Sequence, residues 1–325
     1  MEKAKAFFIC ILILLCVSSC SGQAPAEGKS ALCVATWNVQ NLFNAVLDGA
    51  EYDEYKPSSG WTEAMYLRRL SNAAKVLSYL PEAGDYVIVL NEIEGPDVAE
   101  DLLFQQELRK LGLRWYACTS KEGSPIQSAV VSSLPITGAR IHEVDEELRP
   151  VLEVEIEAGG EKVFIFAVHF KSNVGGTAQT QEARSRAAAV VNRIALTTAM
   201  ENPGALMLVC GDLNDECWED RTLGRDGEIR VSDTFCRDSW YCFWMDESLP
   251  VWPQGSYFYG GSWKSYDNIL VSQSGGDRSG LEFLDAGVVF EGIIRTADSK
   301  PFAWNRNLLT GVSDHIPVWV LLGRP

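Results

Sequence analysis

Short apolar runs alternate with longer amphipathic segments along this chain. A short apolar run bounded by turn formers is typical of a β-strand that is buried on both faces. Strand character is found at residues 31–39, 86–90, 113–117, 128–131, 151–156, 162–168, 205–209, 256–259, 268–271, 284–290 and 317–322. The glycine-containing turn at residues 158–161 lies between two of these segments and predicts a β-hairpin.

Three segments are predicted to be helices. Residues 61–80 repeat apolar side chains every three to four positions, with Thr62 at the N-cap position. Residues 96–111 begin at a proline and end before a glycine, and residues 180–200 are rich in alanine. Strands that outnumber and interleave with helices predict an α/β (α+β) architecture. Its sheets would be covered on both faces, with functional residues at the strand ends.

The N-terminus has the pattern of a bacterial export signal. Lys3 and Lys5 precede an apolar run at residues 6–17, and these 12 residues are too few to cross a bilayer as a helix. The Val-Ser-Ser-Cys sequence that ends at Cys20 resembles a lipobox, in which a peptidase cuts before the cysteine and the thiol is acylated. An ordinary secretory signal with cleavage nearby is the alternative.

This pattern predicts three regions along the chain. They are a lipoprotein signal peptide at residues 1–19, the lipidated Cys20 with a flexible tether at residues 20–30, and one domain at residues 31–325. Several acyl chains on one cysteine would give stable anchoring. We therefore expect an exported protein that is anchored to a bacterial membrane, on its periplasmic or cell-surface face.

Composition indicates one large domain with an acidic surface. The 325 residues are 46% hydrophobic and include 10 Trp, which is enough for a substantial core. The formal charge is −16, and loss of residues 1–19 removes one acidic and two basic residues, which gives −17. Such a surface repels long polyanions, which argues against simple high-affinity nucleic-acid binding. It does not argue against catalysis on nucleic acid, because a bound divalent metal inverts the local field.

Six cysteines remain once the leader and Cys20 are set aside. Three of them lie in strand-like runs and are expected to be buried free thiols: Cys33, Cys118 and Cys210. The others share one loop-rich stretch, where an oxidising compartment would allow two of them to pair: Cys217, Cys236 and Cys242. The sequence has no CxxC pair or His/Cys cluster that would indicate a zinc site.

Polar clusters lie at the starts or ends of several predicted strands. They are Trp37-Asn38, Asn91-Glu92, His169, Asp212-Leu213-Asn214, Tyr266-Asp267-Asn268 and Ser313-Asp314-His315. Each member alone has a structural explanation, such as a cap or a surface turn. Together they supply hard oxygen ligands for Mg²⁺, Mn²⁺ or Ca²⁺, a base for water and donors for developing charge. These are the requirements of phosphoryl chemistry.

In this order, the motifs resemble those of the endonuclease/exonuclease/phosphatase superfamily, which has the deoxyribonuclease I-like fold. The matching segments are WNVQNLF (37–43), NEIE (91–94), VHFKS (168–172), GDLN (211–214), YDNILVS (266–272) and SDHIPV (313–318). The six motifs in this order are specific for the superfamily, but they indicate much less about the substrate. The resemblance implies a four-layer sandwich of two packed mixed β-sheets flanked by helices, with the active site at one edge.

The resemblance also implies a metal site and a site for the attacking water. Asn38, Glu92 and Asp314 look like the metal-site residues, for Mg²⁺ or alternatively Mn²⁺ or Ca²⁺. Asp212 looks like the residue that polarises or deprotonates the water. Asn214 would help to hold the water and the phosphate. Water would attack in line, so no covalent intermediate with the enzyme is required.

Two histidines look like the pair that binds the scissile phosphate. These are His169 and His315, and Asp267 looks like the carboxylate that orients His315. A carboxylate beside His315 would fix its tautomer and raise its pKa, which favours the charged imidazolium. Lys171 is a candidate phosphate contact, with a solvated lysine as the alternative. Glu122 is a candidate to orient His169, on a poorer local match.

Other residues near the motifs have less defined roles. Glu94 lies two positions after Glu92, and its role is open. Arg184 and Arg186 lie on the helix after the His169 loop, where surface or capping roles are favoured over a phosphate contact. His142 has no motif around it and is expected to be structural.

The stretch at residues 240–263 is dense in aromatic side chains. It could stack bases or sugars, or insert into a lipid surface, but packing of a long loop over the sheet is the favoured explanation. Secreted nucleases of the superfamily place a disulfide just after the GDLN motif. That resemblance suggests that Cys217 pairs with Cys236 or Cys242.

Three functions remain in view. The first is a nuclease-like phosphodiesterase, expected to be a monomer, that acts on nucleic acid or nucleotide fragments. The second is a phosphatase or phospholipid phosphodiesterase, similar to sphingomyelinases or inositol phosphatases. The third is a non-catalytic surface-binding protein on the same fold. The motif detail favours the first, and the acidic charge favours short substrates.

Overall fold

The computed structural model describes residues 31–216, 231–235, 240–272 and 280–324, and two six-stranded sheets dominate this part of the chain. The first sheet has, in spatial order, β13 (Glu282–Val288), β14 (Val318–Gly323), β1 (Leu32–Leu42), β2 (Asp85–Ile93), β4 (Gln127–Ser132) and β3 (Trp115–Cys118). The second has β5 (Ile136–His142), β6 (Val151–Ala158), β7 (Glu161–His169), β8 (Leu206–Asp212), β12 (Asp267–Ser272) and β9 (Trp240–Cys242). A separate hairpin pairs β10 (Tyr257–Tyr259) with β11 (Ser262–Lys264).

Each sheet contains one parallel pair, β1 with β2 and β7 with β8, and the remaining pairs are antiparallel. The sheets are therefore mixed. Strand β12 begins where its antiparallel neighbour β8 ends, and β14 begins near the end of β1. The polar ends of four strands and the polar starts of two others consequently lie along one edge.

Helices cover the outer face of each sheet, which gives four layers. They are α1 (Glu63–Leu77), α2 (Pro96–Leu103), α3 (Gln106–Lys110), α4 (Thr177–Glu201) and α5 (Val231–Phe235). Successive side chains of β1 point to opposite faces of the sheet. Ala35 and Trp37 therefore pack in the core under α1 to α3, whereas Val34 faces the second sheet. On the opposite side, α4 packs Val191 against Phe166 and Val209 of the second sheet. The four-layer sandwich expected from the sequence is confirmed.

The predicted helices are present, but one of them is broken. Thr62 caps α1, and its hydroxyl accepts the backbone N–H of Met65 at 3.4 Å. The single helix predicted at residues 96–111 is two helices, separated by extended backbone at Gln105. Leu103 and Leu108 are both buried, yet five residues of one helix would place them about 140° apart. The break turns both toward the core.

Three strands were not predicted: β5, β9 and β11. Strand β5 lies at the edge of the second sheet, where its side chains are half-buried, so it has no apolar run. Strands β9 and β11 have only three residues each. The pattern of buried residues is too weak in all three for a prediction from hydrophobicity.

Some expectations fall on residues outside the described ranges, including the signal peptide, Cys20 with its tether, Cys217 and Cys236. Cys33, Cys118 and Cys210 are free thiols, as expected, although Cys118 is only half-buried. Cys242 is also free, and its thiol lies 3.7 Å from Asn268 Oδ1, so the suggested pairing of Cys217 with Cys242 is wrong. Among the described helices, none has the length and hydrophobicity needed to span a membrane.

Candidate active site

Strand register brings the predicted site residues to one edge of the two sheets. In the second sheet, Asp212 at the end of β8 pairs with His169 on one side and with Asp267 on the other. In the first sheet, Asn38 of β1 pairs with Asn91 of β2. The row in each sheet faces the other, because side chains from both rows are hydrogen-bonded across the gap.

The side-chain amide of Asn38 makes one of these connections. Its Nδ2 donates to Glu92 Oε1 at 3.0 Å and to Asp212 Oδ2 at 3.1 Å. Its Oδ1 accepts the backbone N–H of Gln40 at 3.0 Å. The amide therefore fixes the separation of two carboxylates that come from different sheets. With this orientation Asn38 acts as a donor toward both, and its contribution to a metal site stays a prediction.

Glu92 is held in an uncommon backbone conformation near the end of β2. Its φ of 64° lies in the left-handed region, which side chains other than glycine rarely adopt and which clusters at functional sites. Its Oε2 accepts the backbone N–H of Asn41 at 3.0 Å. Burial raises the pKa of the Glu92 carboxyl, and the negative charge of Asp314 raises it further.

These oxygens suit a hard cation. Glu92 and Asp314 would provide carboxylate oxygens, the ligands that Mg²⁺, Mn²⁺ and Ca²⁺ prefer, whereas Asn38 Oδ1 accepts the backbone N–H of Gln40. The negative charge of Asp314 raises the pKa of Glu92, because the two carboxylates repel each other. A bound divalent cation would relieve this repulsion. The residues present therefore fit the metal that the sequence predicts.

Asp212 is held by hydrogen bonds to the first sheet and within its own turn. Its backbone N–H donates to Asn91 Oδ1 at 3.0 Å, and its Oδ1 accepts the backbone N–H of Asn214 at 2.8 Å. The Nδ2 of Asn214 donates to the carbonyl of Phe170 at 3.2 Å, which ties this turn to the end of β7. Burial and the nearby charge of Asp267 raise the pKa of Asp212 to about 7.

Asn91 is a residue whose role the sequence did not reveal. It appeared in a motif beside Glu92, but no function was attached to it. Its Nδ2 donates to Ser128 Oγ at 2.8 Å within the first sheet, which leaves its Oδ1 to accept from Asp212 of the second. Asn91 therefore joins the two sheets directly behind the site.

His315 and Asp267 form a tight pair, as predicted. His315 Nδ1 lies 2.6 Å from Asp267 Oδ2. Burial alone would lower the pKa of His315, but the charge and hydrogen bond of Asp267 outweigh it, and the pKa is raised to about 10. His315 is held further by its backbone, because its carbonyl accepts Trp37 Nε1 at 3.0 Å and its N–H donates to Ser313 Oγ at 3.1 Å.

His169 differs from His315 in its surroundings. Its Nε2 lies 3.7 Å from Glu92 Oε1 and 3.8 Å from Asp212 Oδ2. Its Nδ1 is buried with no hydrogen-bond partner among the described residues, so the suggested orientation of His169 by Glu122 is wrong. Glu122 is exposed on a loop. Burial lowers the pKa of His169, and the positive charges of Arg149 and His315 lower it further.

A cleft of about 250 Å³ opens beside His169. Three basic side chains line it, namely Lys121, Arg149 and Lys171, together with several acidic ones. Lys171, the candidate phosphate contact, is exposed at its mouth. Arg149 was not singled out from the sequence, and no motif surrounds it. Its Nη1 donates to the carbonyl of Phe170 at 3.3 Å, and its charge acts on both His169 and Glu92.

The remaining basic candidates have structural partners. Arg184 is fully buried, where it bonds Thr180 at 2.7 Å and contacts Asp215 at 3.5 Å, so the expected surface role for Arg184 is wrong. Arg186 lies on the surface between Asp145 and Glu182. His142 Nε2 lies 2.6 Å from Glu153 Oε2, away from the motifs.

A four-layer sandwich with acids and histidines gathered at one edge is the architecture of deoxyribonuclease I-like proteins. Residues 33–324 match the sequence model of the endonuclease/exonuclease/phosphatase family, and the chain belongs to this family. Members of the family are typically metal-dependent phosphoesterases. No curated protein matches the chain in sequence.

Solved structures share the fold at low sequence identity. TDP2 from C. elegans is 18% identical with a TM-score of 0.55, and the match covers 90% of this chain and 75% of that one. A family protein from Bacteroides thetaiotaomicron is 17% identical with a TM-score of 0.57, covering 92% and 100%. D. rerio TDP2 complexed with a single-strand DNA product is 15% identical with a TM-score of 0.54, covering 90% and 99%.

Proposed function

We propose that the chain is a divalent-metal-dependent phosphodiesterase that hydrolyses nucleic acid or nucleotide fragments by in-line attack of water. The observation that carries this proposal is the convergence of Glu92, Asp212, His169 and the Asp267–His315 pair on one gap between two sheets. Five separate segments supply these groups, and the cost of burying so many charges argues against a purely structural origin for the cluster.

Asp212 is the group best suited to activate water. A general base works best when its pKa is close to the working pH, and the pKa of Asp212 is raised to about 7. Bonds from Asn38 and Asn214 fix both of its oxygens. The carboxylate would take a proton from water as the oxygen forms its bond to phosphorus.

The two histidines are suited to different tasks. With its pKa raised to about 10, His315 carries a proton at neutral pH and donates to phosphate oxygens from the nitrogen that Asp267 does not occupy. The lowered pKa of His169 keeps its ring neutral, so it can hydrogen-bond phosphate without adding charge. Lys171 and Arg149 would add positive charge at the cleft.

Glu92 and Asp314 would hold the metal, with Asn38 as the neighbouring amide. When bound, the metal would neutralise phosphate charge and stabilise the leaving oxygen. The strained backbone of Glu92 and its bond from Asn41 keep the carboxylate oriented for this role. Mg²⁺ is the first choice, because it is usually bound through one or two carboxylates together with the phosphate oxygens of the substrate.

A stack of three rings, those of His315, Tyr257 and Tyr259, favours a substrate that carries an aromatic group. Tyr257 stacks on His315 at 4.5 Å, and Tyr259 stacks on Tyr257 at 6.1 Å with an interplanar angle of 7°. Tyr259 is 69% exposed, so the stack of rings extends from His315 to solvent. Nucleobases stack on such rings. The structure of D. rerio TDP2 with a single-strand DNA product supports nucleic acid as the substrate class.

We also propose that the mature protein is a monomer and acts outside the cytoplasm, held to a bacterial membrane through a lipid on Cys20. The basic start, the short apolar run and the lipobox-like sequence support export and anchoring. A net charge of −17 after cleavage favours short fragments over long duplexes, because a long polyanion would meet a repulsive surface. Metabolic labelling with a palmitate analogue tests the anchor, since Cys20→Ala should abolish labelling of the exported protein.

A substrate panel with Mg²⁺, run with and without EDTA, tests the activity. It contains plasmid DNA, RNA, short oligonucleotides, sphingomyelin, inositol phosphates and a chromogenic diester. We expect turnover of oligonucleotides that EDTA abolishes. Turnover of only the lipid or inositol compounds would replace this proposal with the phosphatase or phospholipid phosphodiesterase alternative.

Two variants separate catalysis from a non-catalytic binding role. Asp212→Asn and His315→Gln should each lower kcat by about a hundredfold or more while the circular dichroism spectrum stays unchanged. Asp246→Asn is the matched control, because Asp246 is bonded to Tyr241 outside the site. Equal turnover in all three variants would contradict the assignment of the active site.

A further inference from the structure

A second group of three carboxylates lies beside the active site and takes no part in the proposed chemistry. One oxygen from each of Asp48, Glu51 and Glu94 lies within 4.8 Å of the others. Glu51 and Glu94 are buried, with 6% and 8% of their surfaces exposed, whereas Asp48 is exposed. The group thus has two internal acids and one that faces solvent.

Glu94 has a buried oxygen with no protein partner. Its Oε2 accepts the backbone N–H of Asn44 at 2.7 Å, while its Oε1 is inaccessible to solvent and forms no hydrogen bond within the described residues. An unsatisfied buried carboxylate oxygen is costly, and native proteins usually provide a donor, a water or an ion for it. The oxygen belongs to a side chain that reaches into the carboxylate group.

No basic side chain compensates these three acids. Across the described ranges, none of the three forms an ion pair with Lys, Arg or His. Glu51 accepts backbone N–H groups, among them those of Asp48 and Gly49, and its carboxyl also interacts with the side chain of Asp48. Three carboxylates without a counter-charge are an arrangement that a hard divalent cation stabilises.

We propose that Asp48, Glu51 and Glu94 bind a structural Ca²⁺ ion, separate from the metal predicted at Glu92. The donors are all oxygens, and two of them come from a surface turn that can also offer backbone carbonyls and admit water. Ca²⁺ accepts six to eight such ligands in adaptable geometry, whereas Mg²⁺ requires a near-ideal octahedron and keeps most of its waters.

The ion would fix the turn at residues 44–51 to the active-site end of the first sheet. Glu94 lies two residues after Glu92, and its backbone N–H donates to the carbonyl of Leu42 in β1 at 3.0 Å. Asn44, which bonds Glu94, also accepts Trp61 Nε1 at its carbonyl, at 2.6 Å. A cation at this position would therefore brace the ends of β1 and β2, from which Asn38 and Glu92 reach into the site.

The binding test uses protein stripped with a chelator and carrying Glu92→Gln, which removes an acidic ligand of the predicted active-site metal. Isothermal titration with CaCl₂ should show one ion bound. Adding Asp48→Asn should weaken that binding about tenfold or more, and adding Glu94→Gln should abolish it. Asp97→Asn is the matched control, because Asp97 is an exposed acid whose charge acts on Glu94 from outside the group, so binding should change by no more than about twofold.

Thermal unfolding gives a second readout that does not depend on activity. Ca²⁺ should raise the Tm of the Glu92→Gln protein in a saturable way, and Glu94→Gln should remove that shift. Because Asp48 is exposed, Asp48→Asn tests the site even if Glu94→Gln fails to fold. The proposal is overturned if about 1 mM Ca²⁺ gives neither heat nor a Tm shift, if the Asp48 variant binds as the parent does, or if Mg²⁺ binds as tightly as Ca²⁺.

Discussion

Asp267 Oδ2 lies 2.6 Å from His315 Nδ1, and this contact joins the first residue of β12 to the loop before β14. It is a bond between the two sheets as well as between two side chains, because β12 belongs to the second sheet and β14 to the first. The backbone N–H of Asp267 is itself held by Ser256 Oγ at 3.0 Å. The carboxylate therefore fixes the position and the charge of His315 together.

Replacing Asp267 by Asn should lower the pKa of His315 toward its ordinary value of 6.5. The amide keeps a hydrogen bond but loses the negative charge that stabilises the imidazolium. We expect kcat/KM to fall by about tenfold to a hundredfold at pH 8, together with a shift of the alkaline limb to lower pH. A pH–rate profile of the variant measures both effects.

Asp246→Asn, the surface carboxylate used above, is the control for this prediction. It should leave the alkaline limb near that of the wild type, because Asp246 contacts Tyr241 and Ser248 rather than His315. An Asp267→Asn enzyme whose alkaline limb does not move would show that the charge of Asp267 does not govern the limb.

The wild-type pH profile follows from two raised pKa values. Asp212 accepts a proton only as the carboxylate, so kcat/KM should rise with pH through about 7. His315 donates only as the imidazolium, so kcat/KM should fall as pH rises through about 10. Initial rates on a chromogenic diester, measured from pH 5 to pH 11 at saturating metal, test this bell shape. A profile that is already flat between pH 5 and pH 8, as an Asp with the ordinary pKa of 3.8 would give, would be inconsistent with Asp212 as the base.

Gly211→Ala should destabilise the fold by about 3 kcal/mol or more. A methyl group at this position would lie 1.9 Å from the carbonyl oxygen of Val168, and the φ of 148° is one that side chains rarely adopt. The parallel pair β7 and β8 would have to separate just before Asp212. Urea unfolding followed by tryptophan fluorescence measures the change in the free energy of unfolding.

Gly95→Ala provides the comparison, since Gly95 has extended backbone and no atom within 4 Å of an added methyl. It should change the free energy of unfolding by no more than about 1 kcal/mol. A similar small change at Gly211 would mean that the close approach of β7 to β8 is not required.

Tyr259→Ala should weaken binding of substrates that carry a nucleobase. Stacking of a base on an aromatic ring contributes about 1–3 kcal/mol, so KM for a dinucleotide should rise about fivefold or more while kcat changes little. A glycerophosphodiester without an aromatic group should show no change. Phe104→Ala is the control, because Phe104 is another exposed aromatic ring, at the end of α2. Equal effects on both substrates would contradict stacking.

The buried strands could be predicted closely because their sequence carries a strong signal. Strands β2 and β8 are apolar until a polar residue ends the run, and both were located within two or three residues of their bounds. Strand β5 gave no such signal, because it lies at an edge with its side chains half-exposed. Short elements also escaped prediction when only three residues form the pairing, as in β9.

Site residues were predicted where a motif coincides with the end of a strand. They were missed where there is no motif. Glu92, Asp212 and His315 follow or precede buried strands, so one edge of the sandwich gathers them. Arg149 lies just before β6 with no motif around it, and it reaches the cleft only because the chain folds back there. Contacts of this kind depend on tertiary structure, which local patterns do not record.

The alignment of His169, Asp212 and Asp267 in one row limits the mutations that this protein can tolerate. These residues are aligned by the pairing of three neighbouring strands, and a shift of one position in any strand would turn its residue to the opposite face of the sheet. Insertions within β7, β8 or β12 should therefore destroy the chemistry outright. The loop that carries Arg149 and the separate hairpin that carries Tyr259 are free of that constraint, so new substrates can be accommodated by altering these two segments while the reaction is retained.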